Sequence, residues 1–135
     1  MVAYSFKKQF VAPILAQTKD QTIRADRKRH ARAGEVVQLY NAMRTRQCFL
    51  IGVGRALMVA PIRLDFLRDA ITLAGKTWSD AQTLDKFSRL DGFDGWREMA
   101  AFWRENHPDA AIFSGVLIRW RDFTPAINTL IESAA

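Results

Sequence analysis

The chain has 135 residues, of which 49% are hydrophobic, and a formal net charge of +6 at pH 7. This length fits one compact domain, and nine Phe and four Trp supply enough apolar side chain for a single core. With one cysteine, the chain cannot form an intramolecular disulfide. No apolar run approaches the roughly 20 residues that cross a bilayer, and no leader with a cleavage site opens the chain. We therefore expect one cytoplasmic domain over residues 1–135.

The first quarter of the chain predicts a strand, a short helix and a second extended segment. The aromatic content of "YSFKKQF" (residues 4–10) is typical of a short strand. "FVAPILAQ" (residues 10–17) indicates a short helix, because Pro13 near its start removes an N–H that has no helical partner there. We expect Thr22 to Arg24 to be extended.

The middle of the chain predicts several strands. "EVVQLYNAM" (residues 35–43) follows Gly34, and the long apolar run "CFLIGVGRALMVAP" begins at Cys48. Gly52 and Gly54 within that run indicate a bulge or a close backbone approach. Residues 62–79 continue as strands through a turn at Gly75, and Cys48 is expected to be a small core residue.

Two helices and a long strand are expected next. Residues 79–92 and 94–108 have apolar residues at helical spacing, and in the second segment Asp94 is a candidate N-cap and Pro108 a terminator. Residues 111–123 are expected to form a strand, and residues 125–135 a terminal helix or a frayed tail. The four residues expected on the core face of the second helix are Trp96, Met99, Ala100 and Trp103.

This order of elements predicts an α+β fold. We expect about five to seven short strands to form a small PUA-like β-barrel, with helices after the first strand and before the last long strand.

Positive charge is concentrated in one part of the chain. Between Lys19 and Arg46 lie eight basic residues against three acidic ones, so this stretch supplies nearly all of the net charge. Such a concentration attracts polyanions, whereas a solvated loop is the alternative for a basic run alone. The candidate RNA-binding cations in this stretch are Arg24, Arg27, Lys28, Arg29, Arg32, Arg44 and Arg46.

A spaced motif lies at the start of the basic stretch. Lys19, Thr22 and Arg24 form K-x-x-T-x-R within "QTKDQTIR", and "GEVVQLY" and "LDGFDGWREMAAFW" follow later. Together these segments resemble the ASCH family of the PUA-like superfold, from about Tyr4 to Asp122. The motif of that family is G-x-K-x-x-T-x-R, and Gln17 stands where the family has Gly.

The resemblance implies a cleft that binds RNA or a nucleotide. It also implies one of two hydrolytic roles: cleavage of RNA, or deacetylation of N4-acetylcytidine by a Lys, Thr and acidic trio. The trio here would be Lys19, Thr22 and Asp91, with Asp91 standing where the deacylating branch has the longer Glu.

The residues themselves allow these roles and also a purely structural one. Lys19 in a cationic cleft would have its ammonium form disfavoured, so it could activate Thr22 as a base or hold an oxygen as a cation, with Asp91 serving the leaving amine. The structural alternative pairs Lys19 with Asp20 or Asp91 and leaves Thr22 as an ordinary strand residue.

Cleavage of RNA by its own 2′-OH needs a base, an acid and cations, but no metal. Tyr40, Arg44, Arg46 and Ser114 are candidates to orient the phosphate.

We expect neither a metal nor a cofactor. The spacing of His30, His107 and Cys48 is not that of zinc ligands, and no nucleotide-binding glycine motif is present.

Three functions remain open at this point: an RNA-cleaving enzyme, an N4-acylcytidine amidohydrolase, and a non-catalytic RNA-binding module. The charge of residues 24–32 favours a polymer over a free nucleoside, because each added cation adds a phosphate contact. Trp78 and Trp120 are the tryptophans expected to offer a base a stacking face.

Overall fold

A computed structural model describes residues 1–127 of the chain. Within them a seven-stranded mixed sheet packs against helices that follow the first strand and precede the last one, as expected for an α+β fold. The elements are β1 (Val2–Phe6), a 3₁₀ helix (Lys8–Phe10), α1 (Val11–Leu15), β2 (Gln21–Arg24), β3 (Val36–Asn41), β4 (Phe49–Asp65), β5 (Ala70–Leu73), β6 (Lys76–Trp78), α2 (Ala81–Leu90), α3 (Trp96–Asn106) and β7 (Ile112–Pro125).

Strand β4 organises the sheet. Its first part pairs with β3 and its last part with β5, while β7 runs antiparallel to most of its length. The register between β4 and β7 shifts between Val53 and Arg55, and a Cβ atom on Gly52 would lie 2.5 Å from the Phe123 ring. The predicted bulge and close backbone approach are therefore confirmed.

The sheet is not closed into a barrel, so that part of the expectation is wrong. Closure would require β1 to pair with β2, but among the described strands β1 pairs with β3 alone and β2 with β7 alone. Arginine side chains reach the β1 carbonyls instead: Arg24 Nη2 donates to Ser5 O at 2.6 Å and Arg27 Nη2 approaches Ala3 O at 3.4 Å. Because guanidinium groups satisfy these acceptors, the opening between β1 and β2 persists.

The helices pack as their periodicity predicts, with one difference at a cap. The Asp80 side chain caps α2 by accepting from Thr83 N. Asp94 does not cap α3; Gly95 holds the N-cap position, and the Asp85 carboxylate accepts from Trp96 N at 2.9 Å. An acidic residue from the preceding helix thus replaces the local cap. The α3 core face of Trp96, Met99, Ala100 and Trp103 is buried, as expected.

Two further expectations fall at the edges of the fold. Cys48 is exposed rather than part of the core, because the chain is still in the turn region before β4 begins at Phe49. The predicted terminal helix or tail lies largely outside the described residues. No helix within residues 1–127 is long and apolar enough to span a bilayer.

Candidate functional site

Lys19 is buried between α1 and the end of α2. Its side chain is 2% exposed, and Nζ donates to Gln21 O at 2.7 Å and to Asp91 O at 2.6 Å. Nζ also lies 4.7 Å from the centre of the Phe10 ring. The sequence left Asp20 and Asp91 open as its acidic partner, and the structure selects Asp91, since Asp20 pairs with Arg119 at 3.2 Å.

Asp91 is positioned by the end of α2. It is the C-cap residue of that helix, and its carboxylate Oδ1 lies 3.8 Å from Lys19 Nζ and 3.5 Å from Gln21 Nε2. The next residue, Gly92, has a φ of +97°, in the left-handed region that favours glycine after a helix. This turn directs both the carbonyl and the carboxylate of Asp91 toward Lys19.

Gly92→Ala is expected to destabilise the protein more than Gly75→Ala. Both glycines have positive φ, but an added Cβ at Gly92 would lie 2.9 Å from Lys19 Cδ and 3.0 Å from Phe10 Cδ1, whereas no atom lies within 4 Å at Gly75. Backbone strain costs about 1–2 kcal/mol in both variants, and overpacking adds about 1–3 kcal/mol at Gly92 alone. Urea unfolding of the two variants measures the difference, and equal losses would show that Lys19 and Phe10 move aside freely.

The hydroxyl of Thr22 contacts Arg24 rather than Lys19. Arg24 Nε donates to Thr22 Oγ1 at 2.9 Å, and the same guanidinium donates to Ser5 O. No hydrogen bond joins Lys19 to Thr22 within residues 1–127. The three motif residues are thus brought together, with Arg24 as the direct partner of the Thr22 hydroxyl.

Burial shifts the pKa values of the ionisable groups in the site. Desolvation lowers the pKa of Lys19 to about 8, although Asp91 opposes the shift, and desolvation raises the pKa of Asp91 to about 6, although Lys19 opposes it. Desolvation lowers the pKa of Arg24 to about 10, so its guanidinium stays charged near neutral pH. Buried groups with shifted pKa values beside a cavity mark candidate functional sites.

The hydrogen bonds of Lys19 are compatible with both of its protonation states. A neutral amine has two N–H groups, and two carbonyl oxygens accept from Nζ. Loss of a proton therefore leaves both hydrogen bonds in place and weakens only the 3.8 Å contact with Asp91. Lys19 can consequently give up and regain a proton without rearrangement of its neighbours.

These residues border an aromatic cavity of about 260 Å³. This volume is slightly below the range of about 300–1,000 Å³ typical of drug-sized ligands, so the cavity suits a group of nucleobase size. Its polar lining residues are Lys19, Thr22, Arg24 and Asp91, together with Ser5, Lys7 and His107. The aromatic side chains along it are Phe6, Phe10, Phe93, Phe102, Trp103 and Phe113, with His107 stacked on Trp103.

The predicted basic loop lies beside this cavity and is tied to Tyr4. His30 Nδ1 and the Ala31 backbone N–H lie 3.0 Å and 3.1 Å from the Tyr4 hydroxyl, and the Arg27 guanidinium lies 4.8 Å from the Tyr4 ring centre. Arg29 pairs with Glu35. Arg27, Lys28, Arg29 and Arg32 are all exposed.

The other predicted phosphate-orienting residues lie outside the aromatic cavity. Tyr40 is half-buried in β3, and Arg44 and Arg46 are exposed in the segment that follows it. Ser114 is exposed on β7 and borders a separate cavity. The structure therefore does not bring these four residues into contact with Lys19 and Asp91.

The aromatic candidates for base stacking differ from those that the sequence indicated. Trp120 is buried, and Trp78 is half-buried beside an apolar pocket near α2. The cavity is lined instead by phenylalanines from the N-terminal segment, α3 and its approach, and β7. Their positions reflect tertiary packing between segments far apart in the chain, and only the high Phe content signalled them in the sequence.

Among residues 1–127, no group of three His, Cys, Asp or Glu side chains is arranged to hold a metal ion.

No family model matches the sequence, and no curated protein matches it significantly. The structure is similar to a crystal structure of ASCH from Zymomonas mobilis, with a TM-score of 0.56 and 13% sequence identity over 96% of this chain and 76% of that one. Two single-substitution variants of that protein, one at a tyrosine and one at a serine, match over 96% of this chain with a TM-score of 0.53. The chain therefore has an ASCH-type, PUA-like fold with an open sheet.

Proposed function

We propose that this protein binds RNA, takes one base into the aromatic cavity and cleaves an adjacent phosphodiester bond. The observation that supports this most is the buried pair of Lys19 and Asp91 beside Arg24, in a cavity of nucleobase size. The phenylalanine rings offer a base apolar stacking surface, and the nearby loop supplies cations for the backbone.

The roles follow from the protonation states that predominate near neutral pH. With the pKa of Asp91 at about 6 and that of Lys19 at about 8, the prevailing state is carboxylate and ammonium. Asp91 accepts the proton of the 2′-OH as this oxygen attacks phosphorus. Lys19 donates a proton to the 5′ oxygen as the P–O5′ bond breaks, which leaves a 2′,3′-cyclic phosphate and a 5′-hydroxyl. Arg24 stabilises the charge that develops on the phosphoryl oxygens.

A second candidate is hydrolysis of an N4-acylcytidine, with Thr22 as the nucleophile. The contact between Arg24 and Thr22 favours it, because a nearby cation stabilises the threonine alkoxide. Arg24 is the donor in this contact, so the proton of the Thr22 hydroxyl is left for a base to remove. Lys19 would then act as the base, through a movement that brings its amine to Thr22.

The two reactions are separated by a mass-spectrometric time course on one RNA that contains both unmodified and N4-acetylated cytidine. Strand scission with cyclic phosphate termini is the expected result. Thr22→Val keeps the shape of the side chain but removes the hydroxyl, so we expect scission to persist in this variant within about tenfold. Loss of acetyl from the wild type, abolished in Thr22→Val, would instead support the amidohydrolase. An RNA that binds but stays unchanged would leave a non-catalytic RNA-binding module.

A further inference from the structure

A second cavity, of about 480 Å³, opens beside the aromatic one. Ala25 and Phe113 line the first cavity, whereas the following residues, Asp26 and Ser114, line the second. Because adjacent Cα atoms are about 3.8 Å apart, the two cavities are separated by little more than the backbone of β2 and β7.

Two arginines connect the cavities through one aromatic ring. The guanidinium carbons of Arg24 and Arg27 lie 5.5 Å and 4.8 Å from the centre of the Tyr4 ring. Arg24 lines the aromatic cavity and Arg27 the second one. Both guanidinium groups therefore lie near the same ring, one at each cavity.

Two arginines at the second cavity, Arg27 and Arg63, form no ion pair within residues 1–127. Arg27 donates to the backbone oxygens of Arg29 and Ala3, and no salt bridge within residues 1–127 includes it. Arg63 is the cross-strand partner of Ser114, so both side chains project from the same face of the sheet, and Arg63 likewise has no ion pair among the described residues. Asp26 and Arg27 line the cavity, and Arg63, which is outside the lining, adds a second cation next to Ser114.

The loop that carries Arg27 is held in place before any ligand binds. His30 contacts both the Tyr4 hydroxyl and, at 2.9 Å, Ala25 O, and Ala31 N donates to the same hydroxyl. A cation fixed in this way loses less conformational entropy on binding than a solvated side chain does. The second cavity thus has the charge and the rigidity of an anion subsite.

We propose that this second cavity binds the backbone phosphate next to the nucleotide whose base enters the aromatic cavity. The preferred ligand is then a single-stranded RNA of at least two nucleotides, and not a free nucleoside. Arg27 and Arg63 contact the phosphate, and Ser114 donates a hydrogen bond to it. This inference rests on the proposed function, because it assigns the adjoining cavity to a base.

The test compares two double variants that remove the same charge from different places. Arg27→Gln with Arg63→Gln alters the subsite, and Arg97→Gln with Arg104→Gln alters exposed positions on α3. The probes are fluorescently labelled 2′-O-methyl homo-oligonucleotides of each base, which lack the attacking hydroxyl, and the four free ribonucleosides. Anisotropy between 50 and 200 mM salt gives oligonucleotide affinity, and competition gives nucleoside affinity.

We expect the subsite variant to bind the oligonucleotide more weakly, with a salt slope reduced by about 0.7 for each phosphate that it no longer neutralises. Its affinity for the free nucleosides should stay within twofold of the wild type. The control variant should retain most of the wild-type slope. Arg63→Gln alone should show the same trend, which covers the case that removal of the Arg27 side chain loosens the loop around Tyr4.

Two different failures are distinguishable. If the wild type binds the oligonucleotide but the subsite and control variants are weakened equally, the effect is general charge, and the subsite is overturned while RNA binding stands. If the wild type binds none of the oligonucleotides, the proposed function is overturned, and the subsite with it.

Discussion

Lys19→Met is expected to lower the free energy of unfolding at pH 7 by about 3–5 kcal/mol. The substitution leaves the buried Asp91 carboxylate without its ammonium partner, and it removes the donor that serves Gln21 O and Asp91 O. Each buried acceptor left without a donor adds to the loss. Urea unfolding at constant pH measures the effect, and Lys86→Met, at an exposed position on α2, is the matched control.

The loss should be smaller at pH 5 than at pH 7. The pKa of Asp91 is raised in the folded protein to about 6, so its carboxyl adds stability at low pH and this contribution disappears as the pH rises through about 6. Without Lys19 this pKa rises further, because the charge that opposed the shift is gone. At pH 5 the carboxyl of the variant is therefore neutral, and only the missing hydrogen bonds count.

Lys19→Met with Asp91→Asn should recover part of the stability lost at pH 7. Replacement of both members of a buried ion pair costs less than removal of one, because no isolated charge remains. A double variant that is no more stable than Lys19→Met, or a single variant whose loss is the same at pH 5 and pH 7, would show that the Asp91 charge contributes little to the energetics of this site.

Local patterns in the sequence were sufficient for most of the secondary structure. The helical spacing from Trp96 to Trp103 and the glycines of β4 predict elements that the structure confirms, since these signals depend on residues close in the chain. Closure of the sheet depends instead on whether β1 and β2 meet. In the structure the Arg24 and Arg27 side chains reach β1 carbonyls where β2 does not pair, and no local pattern reveals this.

The site shows the same division between local and tertiary information. K-x-x-T-x-R is a local motif, and its residues Lys19, Thr22 and Arg24 line one cavity. Gln17, at the glycine position of the motif, has a φ of +61°, so the backbone keeps the left-handed turn at some steric cost. The partner of Lys19, 72 positions away along the chain, was one of two candidates until the structure placed the C-cap of α2 against it.

Asp91→Asn is expected to lower the rate of RNA cleavage by about 10²–10⁴-fold, the usual contribution of a general base. The variant keeps the backbone oxygen that accepts from Lys19, so the architecture of the cavity should survive. Asp20→Asn is the matched control, because Asp20 is the other carboxylate beside the motif and pairs with Arg119 instead. The measurement is kcat/KM on a labelled RNA, with urea unfolding to show that both variants are folded.

The pH dependence of wild-type kcat/KM tests the assignment of base and acid. Cleavage needs an ionised Asp91 and a protonated Lys19, so the rate should rise as the pH passes about 6 and fall as it passes about 8. If Lys19 were instead the base that accepts the 2′-OH proton, the rate would continue to rise through about pH 8, because the neutral amine would be the active form. Asp91→Asn should remove the rising limb from any residual activity. A cleavage rate that increases steadily from pH 6 to pH 9 would therefore overturn the acid and base roles proposed here.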